Sequence, residues 1–337
     1  MIVNMDMTLL NSYFNLEKLD SLVVTMGEGG IGTHLLNVAL GLVMFGVALG
    51  LKPENFVNII KNPKSILTGI ICQIVVLPAL TFLLVIACSK LLSVKVALGM
   101  ILVAACPGGN VSNFITSLSR GNSELSVSLT AFNTAACIIT TPINFAFWGK
   151  MYLNYVSNHN ITELHALEVP FWEIFQSIVI IMGIPLILGM LCAQYYPRIA
   201  QKLKKPLQRL SIVVFVAMVV IIFASNFDAF LDCIASIFII VLVHNLLALG
   251  IGFGSGTLMK LPYKDRRTLT IETGIQNSGL GLILLMNPNI FPTDHPDWMA
   301  NGGMVVITAW WGVWHIISGF TLSYLWRIKG RKEACED

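Results

Sequence analysis

Nine runs of mostly apolar residues, each close to the length that crosses a bilayer, dominate this chain: 34–51, 65–88, 96–118, 125–147, 171–195, 209–227, 231–258, 268–290 and 303–326. A helix needs about 20 such residues to span roughly 30 Å of hydrocarbon. Composition points the same way. Of 337 residues, 55% are hydrophobic and only 12% are charged, with mean hydropathy +0.77, whereas a soluble domain carries about 25% charged residues. This excludes a soluble enzyme, a nucleic-acid binder and a disordered chain. The expected fold is an all-α polytopic membrane protein with nine transmembrane helices. Pro78, Pro142 and Pro185 fall inside runs, which membrane helices tolerate. The seven cysteines form no C-x-x-C pair and read as small buried residues.

Residues 1–33 are polar (Asp6, Asn11, Glu17, Lys18, Asp20, Glu28) and contain no signal-peptide h-region. Within them, 16–26 reads equally as a short interfacial helix or a mobile terminus. Lysine and arginine set the orientation. Seventeen of the 21 fall on one side, in the loops carrying Lys52–Lys64, Arg120, Arg198–Arg209 and Lys260–Arg267 and in the tail 327–337; Lys18, Lys90, Lys95 and Lys150 fall on the other. The positive-inside rule makes the tail cytoplasmic and the N-terminus external, as an odd number of spans requires. The expected location is the plasma (inner) membrane, multi-pass, in contact with the lipid bilayer.

Two runs are interrupted. The run 96–118 holds Pro107, Gly108, Gly109, Asn110, Ser112 and Asn113 near its middle, and 268–290 holds Glu272, Gly274, Gln276, Asn277, Ser278 and Gly279. Glycine and proline let a helix break, and the freed backbone groups survive at membrane depth only inside protein or along a polar cavity. Gly109 and Gly274 lie 165 residues apart. Each sits in the third run of a four-run set, 34–147 and 209–326, joined by the run 171–195. Two such units of opposite topology make an inverted-repeat transporter. Plain small-residue packing accounts for the glycines but not for the polar residues around them.

Glu272 is the one acid, of 18, that sits several residues inside a run. Intramembrane carboxylates cost roughly 2.5–3.5 kcal/mol to bury and mark function. No Lys or Arg occupies a run interior to pair with it, so its natural partner is a cation from solution; the alternative is a protonated Glu272 acting as a donor. Oxygen ligands are at hand in Ser112, Asn113, Gln73, Gln276, and Ser126 with Thr130, which share one helix face at i,i+4. Zinc and calcium patterns are absent. Half-helices starting near Asn110 and Asn277 would offer N–H groups to an organic carboxylate or sulfonate. His244 reads as packing; His315 divides evenly between packing and function.

The stretch Cys106-Pro107-Gly108-Gly109-Asn110-Val111-Ser112-Asn113 resembles the motif of the bile acid:sodium symporter family, as does Glu272-Thr273-Gly274-Ile275-Gln276-Asn277-Ser278-Gly279-Leu280. LVMFGVALGLKPENF, CQIVVLPAL and VWHIISG are similar to further family segments, and the resemblance covers about 34–326. It implies panel and core domains, two broken helices that cross, and sodium-coupled uptake by alternating access. It further implies one sodium site at Ser112, Asn113, Ser126, Thr130 and Glu272. A second would use Gln73, Glu272 and Gln276 with backbone oxygens of Thr273 and Ile275. Substrate would lie by Gly109, Asn110, Asn277 and His315. Asn110 and Val111 replace the usual Thr and Ala. The polar N-terminus resembles the nine-span arrangement of animal members rather than the ten spans of some bacterial ones.

The expected function is therefore a symporter importing an organic anion with two sodium ions, needing no cofactor and binding no nucleic acid. Bile acids, pantoate and pyruvate fit these motifs equally, and oligomeric state is left open. A proton-coupled carrier or sodium/proton exchanger on the same scaffold is the alternative, weakened by the single acid. A membrane enzyme using Cys106 or His315 is remote, since no base or metal partner accompanies them. Asn160-Ile161-Thr162 is a glycosylation sequon, meaningful only in a secretory pathway.

Overall fold

The computed structural model describes residues 16–22, 30–50, 63–109, 111–159, 171–225, 227–287, 291 and 301–333. Asn110 and the sequon at 160–162 lie outside them. The helices are α1 Glu17–Asp20, α2 Gly30–Ala48, α3 Pro63–Ala87, α4 Val94–Ala105, α5 Val111–Leu118 and α6 Ser123–Asn158. Then come α7 (Phe171–Ile178 running through Val179–Gly183 into Ile184–Tyr195), α8 Pro197–Ser225, α9 Phe227–Leu258, α10 Tyr263–Gly274, α11 Ser278–Leu285 and α12 Gly302–Glu333. Among the described residues there is no strand, only an isolated antiparallel bridge between Gly108 and Gln276.

Five helices in the described residues are long and apolar enough to cross a membrane: Pro63–Ala87, Ser123–Asn158, Pro197–Ser225, Phe230–Leu258 and Gly302–Ile328. Their outer surfaces carry Leu83, Ile139, Val213, Val220 and Leu246 exposed. Such a surface is stable against lipid rather than water. The protein is a multi-pass membrane protein.

Proline shapes two of the helices. Pro78 and Pro185 each follow a single wide turn, Cys72–Val76 and Val179–Gly183, where Leu77 N donates to Cys72 O and Ile184 N to Val179 O. A proline ring collides with the carbonyl four residues earlier, and an i→i−5 turn moves that carbonyl aside. Pro206 lies inside α8, which begins at Pro197, well before the start at 209 expected from hydropathy. The basic stretch Lys202–Arg209 is helical rather than a loop.

Helices α2, α7 and α8 pack on one another, and α3 to α6 pack with α9 to α12; α7 also packs on α6, and α8 on α12. Close approach is built in at glycine: a Cβ on Gly252 of α9 would meet the Cα of Thr270 at 2.7 Å, and one on Gly189 of α7 the Phe45 carbonyl oxygen at 2.7 Å. Of the stretch 16–26, residues 16–22 pack against the start of α4, and 23–26 lie outside the described residues. Leu16 and Leu19 are buried, and Asp20 accepts from Ser93 Oγ (2.9 Å) and the Lys95 amide (3.3 Å) at the start of α4.

The opposite end carries buried charge that hydropathy places outside. Asp265 accepts from Ser65 Oγ at 2.6 Å and Asn122 Nδ2 at 2.9 Å, while Arg267 donates to Ser119 O at 3.0 Å and stacks over Tyr263. These bonds tie the start of α10 to α3 and to the α5–α6 turn. His244 packs as expected, 2.8 Å from Thr81 Oγ1 and with its ring 4.5 Å from Trp311.

Candidate functional site

The two interruptions meet. Helix α4 stops at Ala105 because Cys106 precedes a proline and turns extended (φ −72°, ψ 153°). Helix α10 stops at Gly274, and Ile275 is extended too (φ −119°, ψ 92°). The extended stretches run antiparallel and bond backbone to backbone: Gly109 N donates to Ile275 O at 2.9 Å and Asn277 N to Pro107 O at 2.8 Å. This satisfies groups that would otherwise be orphaned at membrane depth. The contact is tight at glycine: a Cβ on Gly108 would sit 3.1 Å from Gln73 Nε2 and 3.2 Å from Glu272 Oε2.

Around the crossing the structure gathers the first set of residues anticipated from sequence. Ser112 Oγ of α5 lies 2.6 Å from Glu272 Oε1, Ser126 Oγ of α6 also reaches Oε1, and Thr130 Oγ1 lies 3.0 Å from Oε2. Asn113 Oδ1 is 2.9 Å from Ser126 Oγ and 3.4 Å from Thr130 Oγ1. Ser112, Ser126, Thr130 and Glu272 are all at most 3% exposed. Three hydroxyls own three protons, yet Ser126 and Thr130 each face two acceptors. The cluster therefore holds more oxygen lone pairs than protons to fill them. Among the described residues no Lys or Arg joins it.

The second set surrounds the backbone of the same residue. Gln73 Nε2 donates to Glu272 O at 2.6 Å, and Gln276 Nε2 to Thr273 O at 2.8 Å. The Thr273 and Ile275 carbonyls each hold a donor already, Gln276 Nε2 and Gly109 N, and each keeps a second lone pair. Gln276 Oε1 and Thr273 Oγ1 are buried without a hydrogen-bond partner.

The substrate residues are less convergent. Asn277 Oδ1 caps α11 by accepting from Leu280 N at 3.1 Å, and His315 Nδ1 lies 2.8 Å from Trp311 O. Gly109 is taken up in the crossing, with Gln276 O 3.2 Å from its would-be Cβ.

Three contributors escaped the sequence reading. Asn133 Nδ2 donates to Gln73 Oε1; its place at i+7 from Ser126 on one face of α6 is the signal that marks it. Asn245 Nδ2 donates to Gly274 O at 2.8 Å and its Oδ1 accepts from Ser318 Oγ at 2.6 Å. Phe215 of α8 lies against Gly279, 3.5 Å from its would-be Cβ, and against Gly312, over the start of α11. Nothing in its apolar run distinguishes it.

Comparison with known proteins gives the family. Residues 37–233 match the model of the Sodium Bile acid symporter family. The chain is 30% identical over 298 residues to the sodium-dependent transporter YocS of Bacillus subtilis, covering 88% of this chain and 84% of that protein. It is 28% identical to the probable sodium/metabolite cotransporter BASS2, chloroplastic, of Oryza sativa subsp. japonica, over 75% of this chain and 56% of that one. It is 26% identical to the ileal sodium/bile acid cotransporter of Mus musculus, over 73% and 67% respectively. With the crossing, the oxygen cluster and these relatives together, the chain belongs to the sodium bile acid symporter family, as a sodium-coupled membrane transporter and not an enzyme.

Proposed function

We propose that this protein imports an organic anion together with two sodium ions by alternating access. The observation that carries the reading is the buried cluster of Ser112, Asn113, Ser126, Thr130 and Glu272, whose oxygens outnumber their protons. A hard monovalent cation is the partner that such a set lacks. The second ion lies between Gln73, the backbone oxygens of Glu272, Thr273 and Ile275, and Gln276.

In this reading α2, α7 and α8 form the panel, and α3 to α6 with α9 to α12 form the core. The nine spans comprise two inverted repeats, with the N-terminus outside the plasma membrane and the tail cytoplasmic. The anion, a bile acid or smaller carboxylate, sits against the N-termini of α5 and α11, by Gly109, Asn110, Asn277 and His315, where backbone N–H groups and helix dipoles favour negative charge. Sodium on Glu272 neutralises the buried carboxylate, so ion and anion occupancy together favour reorientation. Two cations with a monovalent anion carry net charge inward, worth about 2.3 kcal/mol per 100 mV.

Thermal unfolding of the purified protein in sodium against potassium, at equal ionic strength, tests this. A ligand bound only by the folded state stabilises it by about 2.7 kcal/mol at 100 times its dissociation constant. A sodium-specific rise is expected in the wild type and should vanish in Glu272→Ala. Equal protection by potassium would overturn the assignment, and a sodium-driven pH change in vesicles would put proton exchange in its place.

A further inference from the structure

Beside the crossing lies a cleft lined by Gln73, Cys106, Pro107, Asn133, Thr140 and Asn144. Its polar side chains from α6 recur at Asn133, Thr140 and Asn144, spacings that keep them on one side of a helix. They rise about 16 Å along α6, away from the turn with Asp265 and Arg267 and toward Tyr152.

The hydrogen-bond logic at the inner end is fixed. A carbonyl accepts and cannot donate, so Gln73 must turn its Nε2 toward Glu272 O, 2.6 Å away. Its Oε1 then faces Asn133, which can meet it only with Nδ2. That leaves Asn133 Oδ1 as the remaining half of a side chain that is 2% exposed, and this oxygen has no hydrogen-bond partner. A buried acceptor without a donor is unfavourable, so the position suits a ligand that brings positive charge.

We propose that Asn133 is a further sodium-binding residue: its Nδ2 holds Gln73 in place and its Oδ1 is offered to the ion. The inference rests on the sodium-coupled reading above and adds a ligand beside the second ion position. Thr140 and Asn144 line the same small cleft, and Asn144 Oδ1 already accepts from Trp148 Nε1 at 3.2 Å. Neutral amide and hydroxyl oxygens suit a partly dehydrated monovalent cation better than a divalent one, which takes carboxylates.

The test is thermal unfolding of the full chain in detergent, without organic anion, titrated with sodium chloride against potassium chloride at constant ionic strength. Wild type, Asn133→Ala and the near-isosteric Asn133→Asp are compared. In Asn133→Ala the sodium needed for half-maximal protection should rise about tenfold or more, and the sodium dependence should become less steep as one of two ions is lost. Asn133→Asp keeps an oxygen ligand but loses the amide that donates to Gln73 Oε1; it should retain more of the sodium sensitivity than Asn133→Ala, and it carries the test if Asn133→Ala does not fold. A purely structural role would lower the midpoint equally in sodium and potassium with an unchanged sodium dependence, and that result would overturn the proposal alone. No sodium-specific protection in the wild type would overturn the sodium reading and this inference with it.

Discussion

Gln73 and Glu272, 199 positions apart, meet side chain to backbone, with Gln73 Nε2 donating to the Glu272 carbonyl at 2.6 Å. That carbonyl lies in the last turn of α10, where it has no N–H four residues on to accept from within the helix. A glutamine from α3 thus caps α10 at the point where the chain breaks, and the same glutamine is held by Asn133 from α6.

Removing this cap should be costly. Gln73→Leu leaves a buried carbonyl and the Asn133 amide without partners, a loss of about 1–3 kcal/mol. Chemical denaturation in potassium, where sodium occupancy plays no part, measures it directly. A variant as stable as wild type would show that the bond contributes nothing.

Gly108→Ala introduces a methyl group 3.1 Å from Gln73 Nε2 and 3.2 Å from Glu272 Oε2. Overpacking of this kind costs about 1–3 kcal/mol, and the displaced carboxylate should abolish sodium protection. Gly254→Ala is the control, since a Cβ there has nothing within 4 Å. Its midpoint should not fall, because alanine is the better helix former.

Phe215 covers the start of α11 from the α8 side, touching Gly279 and Gly312. In the proposed mechanism that is where the anion docks. Phe215→Ala should change the KM for anion uptake severalfold in vesicles and widen the range of anions accepted. Sodium protection of the purified protein should stay as in wild type. Loss of sodium protection instead would place Phe215 in the packing of the ion cluster.

Asp265→Ala strips the acceptor from Ser65 and Asn122. Hydrogen bonds to a charged group contribute about 1.5–3 kcal/mol each, so a loss of roughly 2 kcal/mol or more is expected from denaturant titration. The sodium response should persist, since these residues are separate from the Glu272 cluster.

Much of this was legible in the sequence, for identifiable reasons. Pro107, Gly108 and Gly274 are conspicuous in apolar surroundings, and Glu272 is conspicuous because charge is so expensive there. Ser126 and Thr130 were found because i,i+4 spacing fixes a shared face. Asn245 was not, because a lone amide in a long apolar helix reveals nothing of which distant carbonyl it reaches; Asn133 carried only its i+7 spacing from Ser126, and nothing in that spacing names Gln73 as its partner. Asp265 and Arg267 were read as lying in a loop outside the spans because hydropathy marks the span end; that they are buried was not legible, since the Ser65 and Asn122 partners of Asp265 come from elsewhere in the chain. Leu16 and Leu19 lie in a stretch whose polar surroundings left a short helix and a mobile terminus equally open, yet both leucines are buried. The early start of α8 was missed because lysines at a membrane surface look alike in loop and helix.

The wide turn at Cys72–Val76 has a consequence for the whole of α3. One residue in an α-helix corresponds to about 100° of rotation, so the extra residue sets the azimuth of Leu77–Ala87 relative to Pro63–Ile71. Deleting one residue from that turn would leave hydropathy and span length almost unchanged. It would nonetheless swing either Gln73 away from Glu272 or Phe82 and Val85 out of the core into lipid. Here the reading frame of side chains around the axis, rather than any single side chain, is what joins the polar centre to the apolar body. A one-residue deletion in this turn should accordingly be far more damaging than a point substitution at any one of its apolar positions.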